Sequence, residues 1–203
     1  MQNKYKKIIG ELSDKELLIN LFLTQLLIIA VSFILGWFLF DDIASFLDLF
    51  KWNDPKIGTV GITAGLLVVL IDLSLMKWLP DKYYDDGGLN EKLFKNRTVA
   101  EIFFIALTVA ATEEILFRGV IQTHAGLVFT SILFALVHIR YLFNFFLFAN
   151  VIILSFLIGL IYLLTGNLLV TIVMHFVIDF LLGLKMRSHR PQGGNTGESR
   201  TTD

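Results

Sequence analysis

Residues 102–120 read IFFIALTVAATEEILFRGV. The stretch is long and apolar enough to enter a bilayer, yet it carries Glu113, Glu114 and Arg118. One charge at the centre of a membrane helix costs roughly 2.5–3.5 kcal/mol on insertion scales. Charges packed this closely in an apolar run imply a use that outweighs that cost. Two further apolar runs, around His138 and His175, bring a histidine to a similar depth. The fold and the chemistry are read outward from these few polar groups.

The rest of the composition agrees with a membrane protein. Of 203 residues 55% are hydrophobic, 19 are Phe and only 17% are charged. A soluble domain of this size would carry more charge and shorter apolar runs. The net charge of −1 gives no reason to expect nucleic acid as a partner. The absence of Cys excludes disulfides, thiolate metal sites and a cysteine nucleophile. Pro55, Pro80 and Pro191 all fall outside the apolar runs, where they break no helix. Lys4, Lys6, Lys7 and Lys15 precede the first run, which ends in Asp41-Asp42. That run is too long for a signal-peptide core and lacks a small-residue cleavage site, so it is expected to be a retained first span.

Six apolar segments follow, at 17–40, 59–80, 98–123, 125–139, 142–164 and 167–184. The expected fold class is all-α: a polytopic membrane helical bundle of about six transmembrane helices. The fourth segment is short, since a span needs about 20 residues. The expected organisation is two N-terminal helices with loops over 1–97, a functional core over 98–184, and a polar, Gly-rich, disordered tail over 185–203. With six spans and the N-terminus in the cytoplasm, Lys51 and Lys56 alone fall outside, and all other Lys and Arg beyond the spans fall inside. That is a strong positive-inside bias, and it places both termini in the cytoplasm.

Counting inward at about 1.5 Å per residue, Glu113 lies roughly 15 Å deep, His138 about 20 Å, His175 about 12 Å and Asp179 about 18 Å. Separate helices thus present ionisable groups at one level. Glu114 and Arg118 are four apart with the acid first, a spacing that makes an ion pair on one face. Glu113 points about 100° away and is available to a different neighbour. His175 and Asp179 share a face, and the carboxylate can fix the imidazole tautomer. Phe134 and His138 also share one. Asp72 has no clear partner in sequence. Glu101 is expected at the interface, His124 in a loop and His189 in the tail.

Taken singly, each feature has a structural explanation: a neutralised ion pair, or a histidine that hydrogen-bonds between helices. The whole set at one depth is better explained by chemistry. A buried glutamate, one or two histidines and an ordered water suffice to attack a carbonyl. Glu113, His138, His175 and Asp179 are alternatively an N/O ligand set for zinc. Residues alone leave both open. H-E-x-x-H, G-x-S-x-G and paired intramembrane aspartates are all missing.

Glu113-Glu114-x-x-x-Arg118, Phe134-x-x-x-His138 and His175-x-x-x-Asp179 resemble the three motifs of the CPBP family. This family comprises CAAX prenyl endopeptidases and their bacterial relatives, also called Abi proteins. The resemblance covers roughly 98–184. It implies an intramembrane endopeptidase in which Glu113 and His138 activate water, His175 and Asp179 support the oxyanion, and Glu114 and Arg118 support the site. It leaves metal dependence open, because members have also been described as metalloproteases. The third motif ends in Asn in the prenyl endopeptidases and in Asp here. Ionised Asp accepts but cannot donate, which favours orienting His175 or binding metal. The implied setting is a bacterial plasma membrane, and the implied partner is a membrane-embedded or membrane-associated peptide. Prenylated CAAX substrates are not expected there. Two readings from other classes remain: a proton-coupled transporter, testable by pH-driven uptake into vesicles, and a non-catalytic bacteriocin-immunity or scaffold protein, testable by protection from a correctly inserted site mutant.

Overall fold

The computed structural model describes residues 9–188. His189 and most of the expected tail lie outside the described residues. The chain is an all-α, multi-span membrane bundle. Among the described residues, four helices are long and apolar enough to cross a bilayer: α1 (Asp14–Leu39), α3 (Ile57–Trp78, opening with the π-helical turn Ile57–Ile62), α7 (Phe145–Thr165) and α8 (Leu168–Ser188). Between them lie the short helices α2 (Ile43–Leu47) and α4 (Leu89–Phe94), then α5 (Val99–Glu114) and α6 (Leu127–Val137).

The expected third and fourth segments differ from simple spans. Helix α5 passes without a break into a π-helical stretch, Ile115–Gln122, and a last turn, Thr123–Ala125. Gly126, at φ 81°, ends that run. Helix α6 has only 11 residues and stops where His138 leaves helical geometry at ψ 54°. A 3₁₀ turn, Ile139–Phe143, then leads into α7. The four long spans are therefore joined by one charged helical run and one short apolar helix. At the other end of the core, α8 continues to Ser188 rather than stopping at 184.

Local sequence sets the boundaries. Ser13 and Glu16 cap α1 reciprocally, with Ser13 N donating to Glu16 Oε2 at 2.7 Å and Glu16 N to Ser13 Oγ at 3.2 Å. Thr98 and Glu101 repeat the device at α5. Asn144 caps α7 by accepting from Phe146 N and Leu147 N, and its Nδ2 donates to Lys82 O, Tyr83 O and Asp85 O at 3.1–3.3 Å. That side chain ties the loop after α3 to the start of α7. Gly166, left-handed at φ 58°, ends α7.

Helix α8 is the central post, packing on α3, α5 and α7. Val69, Ile158, Val170, Met174 and Ile178 fill the space between α3, α7 and α8. Gly61 and Gly65 let α3 approach closely: a Cβ on Gly61 would stand 2.8 Å from Val170 O, and one on Gly65 2.9 Å from Met174 O. This G-x-x-x-G seam is what membrane helices use to bring backbones together. Helix α1 packs on α5 and its π stretch. Trp37 and Trp52 at one end and Trp78 at the other are 84%, 75% and 84% exposed, as in the aromatic belts at membrane surfaces.

Candidate active site

The charged motif sits where α5 changes its winding. Glu113 and Glu114 close the α-helical part, and Arg118 lies within the π stretch. There the Thr123 hydroxyl donates to Arg118 O, five residues back, at 3.1 Å. Short π segments inside helices frequently mark functional sites.

Two layers form around this point. In the buried layer, Glu114 and Arg118 both have 0% exposed side chains and pair at 3.3 Å between Oε1 and Nη1. Arg118 Nη2 donates to the backbone oxygen and the hydroxyl of Ser155 on α7, each at 3.1 Å. The same guanidinium lies 4.7 Å from the centre of the Phe134 ring. Glu114 Oε1 is also 2.9 Å from His175 Nδ1 on α8, and His175 Nε2 stands 3.5 Å from Asp179 Oδ2. The order Arg118, Glu114, His175, Asp179 is thus a chain of alternating cationic and acidic groups. Carboxylates only accept when ionised, so His175 donates to Glu114 from Nδ1, and to Asp179 as well when the ring carries both protons.

The second layer is more open. Glu113 Oε2 stands 4.0 Å from His138 Nε2, with side-chain exposures of 11% and 20%. His138 Nδ1 lies 2.7 Å from Phe134 O. A carbonyl only accepts, so in the neutral ring the proton sits on Nδ1 and Nε2 carries the lone pair. The tautomer is set by a backbone atom one helical turn away. Phe134 packs against His138 at 4.5 Å between ring centres, and Tyr141 is parallel to His138 at 6.1 Å. The ring of Phe134 is therefore common to both layers, in contact with Arg118 of one and His138 of the other.

The four expected zinc ligands lie in the two layers as two pairs, Glu113 with His138 and His175 with Asp179. Two ligands about 2.05 Å from a tetrahedral zinc stand about 3.3 Å apart. Glu113 and His138 are 4.0 Å apart, and both His175 nitrogens face carboxylates. Among the described residues, no group of three or more His, Cys, Asp or Glu is arranged to hold a metal ion.

Other polar residues lie apart from this cluster. Asp72 acts on Tyr84 instead: burial and, second, the Asp72 charge push the Tyr84 phenol up. His124 packs edge-on against Phe40 at 4.7 Å, with Nδ1 2.8 Å from Val120 O. Glu101 pairs with Arg97 at 3.4 Å. Sequence reasoning missed three participants. Ser155 receives Arg118. Gln122, four residues past Arg118, donates from Nε2 to Gly159 O at 2.7 Å. Gln25, buried in α1, accepts from the Thr112 hydroxyl at 2.5 Å, beside Glu113. Each is a polar residue in an apolar run, the same signal that singled out the glutamates.

The motif residues lie on one continuous stretch that is similar to a known family. Residues 95–181 match the family model described as type II CAAX prenyl endopeptidase Rce1-like. A Bacillus subtilis (strain 168) protein, described as "Uncharacterized protein YpbD", is 44% identical over 165 residues, covering 81% of this chain and 87% of that one. No solved structure matches at a significant level. With the membrane bundle and the buried Glu–His network already in place, these matches show what the chain is similar to: residues 95–181, which hold every motif residue, resemble the Rce1-like CAAX protease family.

Proposed function

We propose that this protein is an intramembrane endopeptidase that hydrolyses peptide bonds of a membrane-embedded or membrane-associated substrate. The observation that carries the reading is the Glu113–His138 pair, 4.0 Å apart, with His138 turned by Phe134 O so that Nε2 faces the carboxylate. Both facing atoms are acceptors. A water about 2.8 Å from each subtends about 90° at its oxygen, so its two hydrogens can serve both. Glu113 takes one proton as the water oxygen bonds to the substrate carbonyl carbon. His138 holds the other and fixes the direction of attack. The carbon–nitrogen bond then breaks, and the proton on Glu113 passes to the leaving amine.

The buried layer positions these groups. Glu114 and Arg118 hold His175 from one side and Asp179 faces it from the other. The His175–Asp179 separation of 3.5 Å is long for a hydrogen bond. The Nε2–H can therefore turn from Asp179 toward a developing oxyanion, where a preorganised donor is most effective. Asp179 acts by orienting the ring. The proposed setting is a bacterial plasma membrane crossed six times, with the run from α5 and helix α6 completing the four long spans and both termini in the cytoplasm.

The test uses wild type and Glu113→Gln purified in mild detergent and incubated with a library of membrane peptides, with products read by mass spectrometry. Cleavage by wild type and its loss in a correctly inserted variant is the expected result. A Glu113→Gln protein that cleaves at the wild-type rate refutes the mechanism.

A further inference from the structure

Many hydroxyls in the helices of this protein share one habit. Thr24, Ser32, Ser74, Thr108, Thr130 and Thr165 each donate to the carbonyl four residues earlier, at 2.7–2.9 Å. Back-bonding of this kind satisfies a hydroxyl inside a helix without outside help. Ser131 on α6 breaks the habit: it is 1% exposed, and its Oγ has no hydrogen-bond partner.

Its place in the packing suggests why. Ser131 shares a helix face with Leu127 and Phe134, four before and three after it. Leu127 Cδ1 and Gln122 Oε1 meet at Gly159, 2.5 and 2.6 Å from where a Cβ on that glycine would stand. The Phe134 ring covers the Arg118 guanidinium. Ser131 therefore faces the seam between the π stretch and α7, at a height between Gln122 and Arg118.

More polar atoms lack hydrogen-bond partners: Gln122 Oε1 and Arg118 Nε and Nη1 along that seam and, beyond Arg118 on the side of α8, Glu114 Oε2. Nη1 is within ion-pair distance of Glu114 Oε1 but without hydrogen-bond geometry. The nearby Thr171 hydroxyl donates to Leu168 O at 3.0 Å. Donors and acceptors are both represented: Arg118 donates, Gln122 and Glu114 accept, and Ser131 does either. Buried polar groups of this kind are normally satisfied, by protein or by internal water. A small species that both donates and accepts suits all of them, and water commonly fills that role between buried polar groups.

We propose that the seam between the π stretch, α6 and α7 is a water-binding site, holding ordered waters from Gln122 past Ser131 and Arg118 to Glu114. It would complete the hydrogen bonding of the buried ion pair and extend a polar path from Gln122 to the carboxylate that holds His175. The inference is independent of whether the protein cleaves peptides.

The test uses the full chain in lipid nanodiscs. X-ray radiolysis makes hydroxyl radicals from bound water in place, and mass spectrometry reads the oxidised side chains. Wild type should show oxidation of Phe134 above that of Phe33, which faces outward at 72% exposure in α1. The Gln122→Met, Ser131→Ala double variant should lose that excess. Thermal unfolding of Ser131→Ala alone gives an independent sign. A hydroxyl that holds water stabilises, so its removal lowers Tm. A hydroxyl left unsatisfied destabilises, so its removal raises Tm. Labelling of Phe134 unchanged by the double variant, or a raised Tm for Ser131→Ala, overturns the proposal.

Discussion

Replacing Arg118 with Met tests the buried layer most directly. The side chain is wholly buried, as is Glu114, and the two charges stand 3.3 Å apart. Removing one member of such a pair strands the other in a low-dielectric interior, which costs about 3–5 kcal/mol. The two Ser155 hydrogen bonds and the contact with Phe134 lie inside that figure, since coupled interactions do not add. Glu114→Met should cost a similar amount, because Arg118 is then stranded and His175 loses its acceptor at 2.9 Å. The double variant removes both charges and keeps the volume, so it should cost no more than the worse single. With each single costing about 3–5 kcal/mol and the double no more than the worse single, a double-mutant cycle then gives a coupling of at least about 3 kcal/mol, at the upper end of what such cycles measure. Reversible unfolding in mixed micelles, followed by the fluorescence of Trp37, Trp52 and Trp78, measures all four proteins. Additive losses, with the double variant costing the sum of the singles, would refute the claim that the two charges stabilise each other.

Four further outcomes are expected. Phe134→Leu removes the ring that contacts both Arg118 and His138 and should cost about 1–3 kcal/mol, read in the same unfolding assay. Gly65→Val pushes side-chain atoms into Met174 O and Val177, so it should destabilise by about 1–3 kcal/mol and increase protease sensitivity of the loop between α3 and α4. Zinc chelators should leave the proposed peptide cleavage unchanged, because Glu113 and His138 stand 4.0 Å apart, wider than a tetrahedral zinc brings its ligands, and both His175 nitrogens face carboxylates; a reversible loss of activity on chelation would contradict this. The Lys56 backbone N–H, helped by Asn167 and the nearby lysines, holds the Asp54 carboxyl below its ordinary value. Its contribution is therefore present above the unfolded value of about 3.9 and is lost as pH falls through the lower folded value. The Lys56 amide resonance should shift in that acid window in wild type and stay constant in Asp54→Asn.

The long spans were legible because hydrophobic length is a strong signal. Segments read as 17–40, 59–80, 142–164 and 167–184 became helices within a few residues of those bounds. The early start of α1 at Asp14 was also written in the chain, as the Ser13–Glu16 box, but apolar length alone passes over a polar first turn. The depth argument placed Glu113, His138, His175 and Asp179 at one level, and the structure brings them within two adjoining layers. The division into layers was not legible, because it depends on the winding after Glu114. An apolar run satisfies an α or a π period equally well, so nothing in Ile115–Gln122 announces the change. The stop at His138 was equally silent, since no Gly or Pro marks it. The Gly61 and Gly65 pair was visible as a spacing, but only the partner helix gives it meaning.

The π stretch has a consequence for how this chain tolerates changes in length. A π segment holds one residue more than an α-helix of the same span. Deleting a single residue from 115–122 would let the run relax to uniform α winding. The stretch holds that one extra residue, so Gln122 and Thr123 after it would keep nearly their present directions relative to Glu113 and Glu114, along with their contacts to Gly159 and the Tyr162 hydroxyl. What the deletion would re-aim is the stretch itself, and with it Arg118, which now reaches Glu114 and Ser155. The same deletion within α5, before Glu113, would instead turn one half of the run against the other by about 100°. Relatives that lack the π winding should therefore be one residue shorter between Glu114 and Gln122.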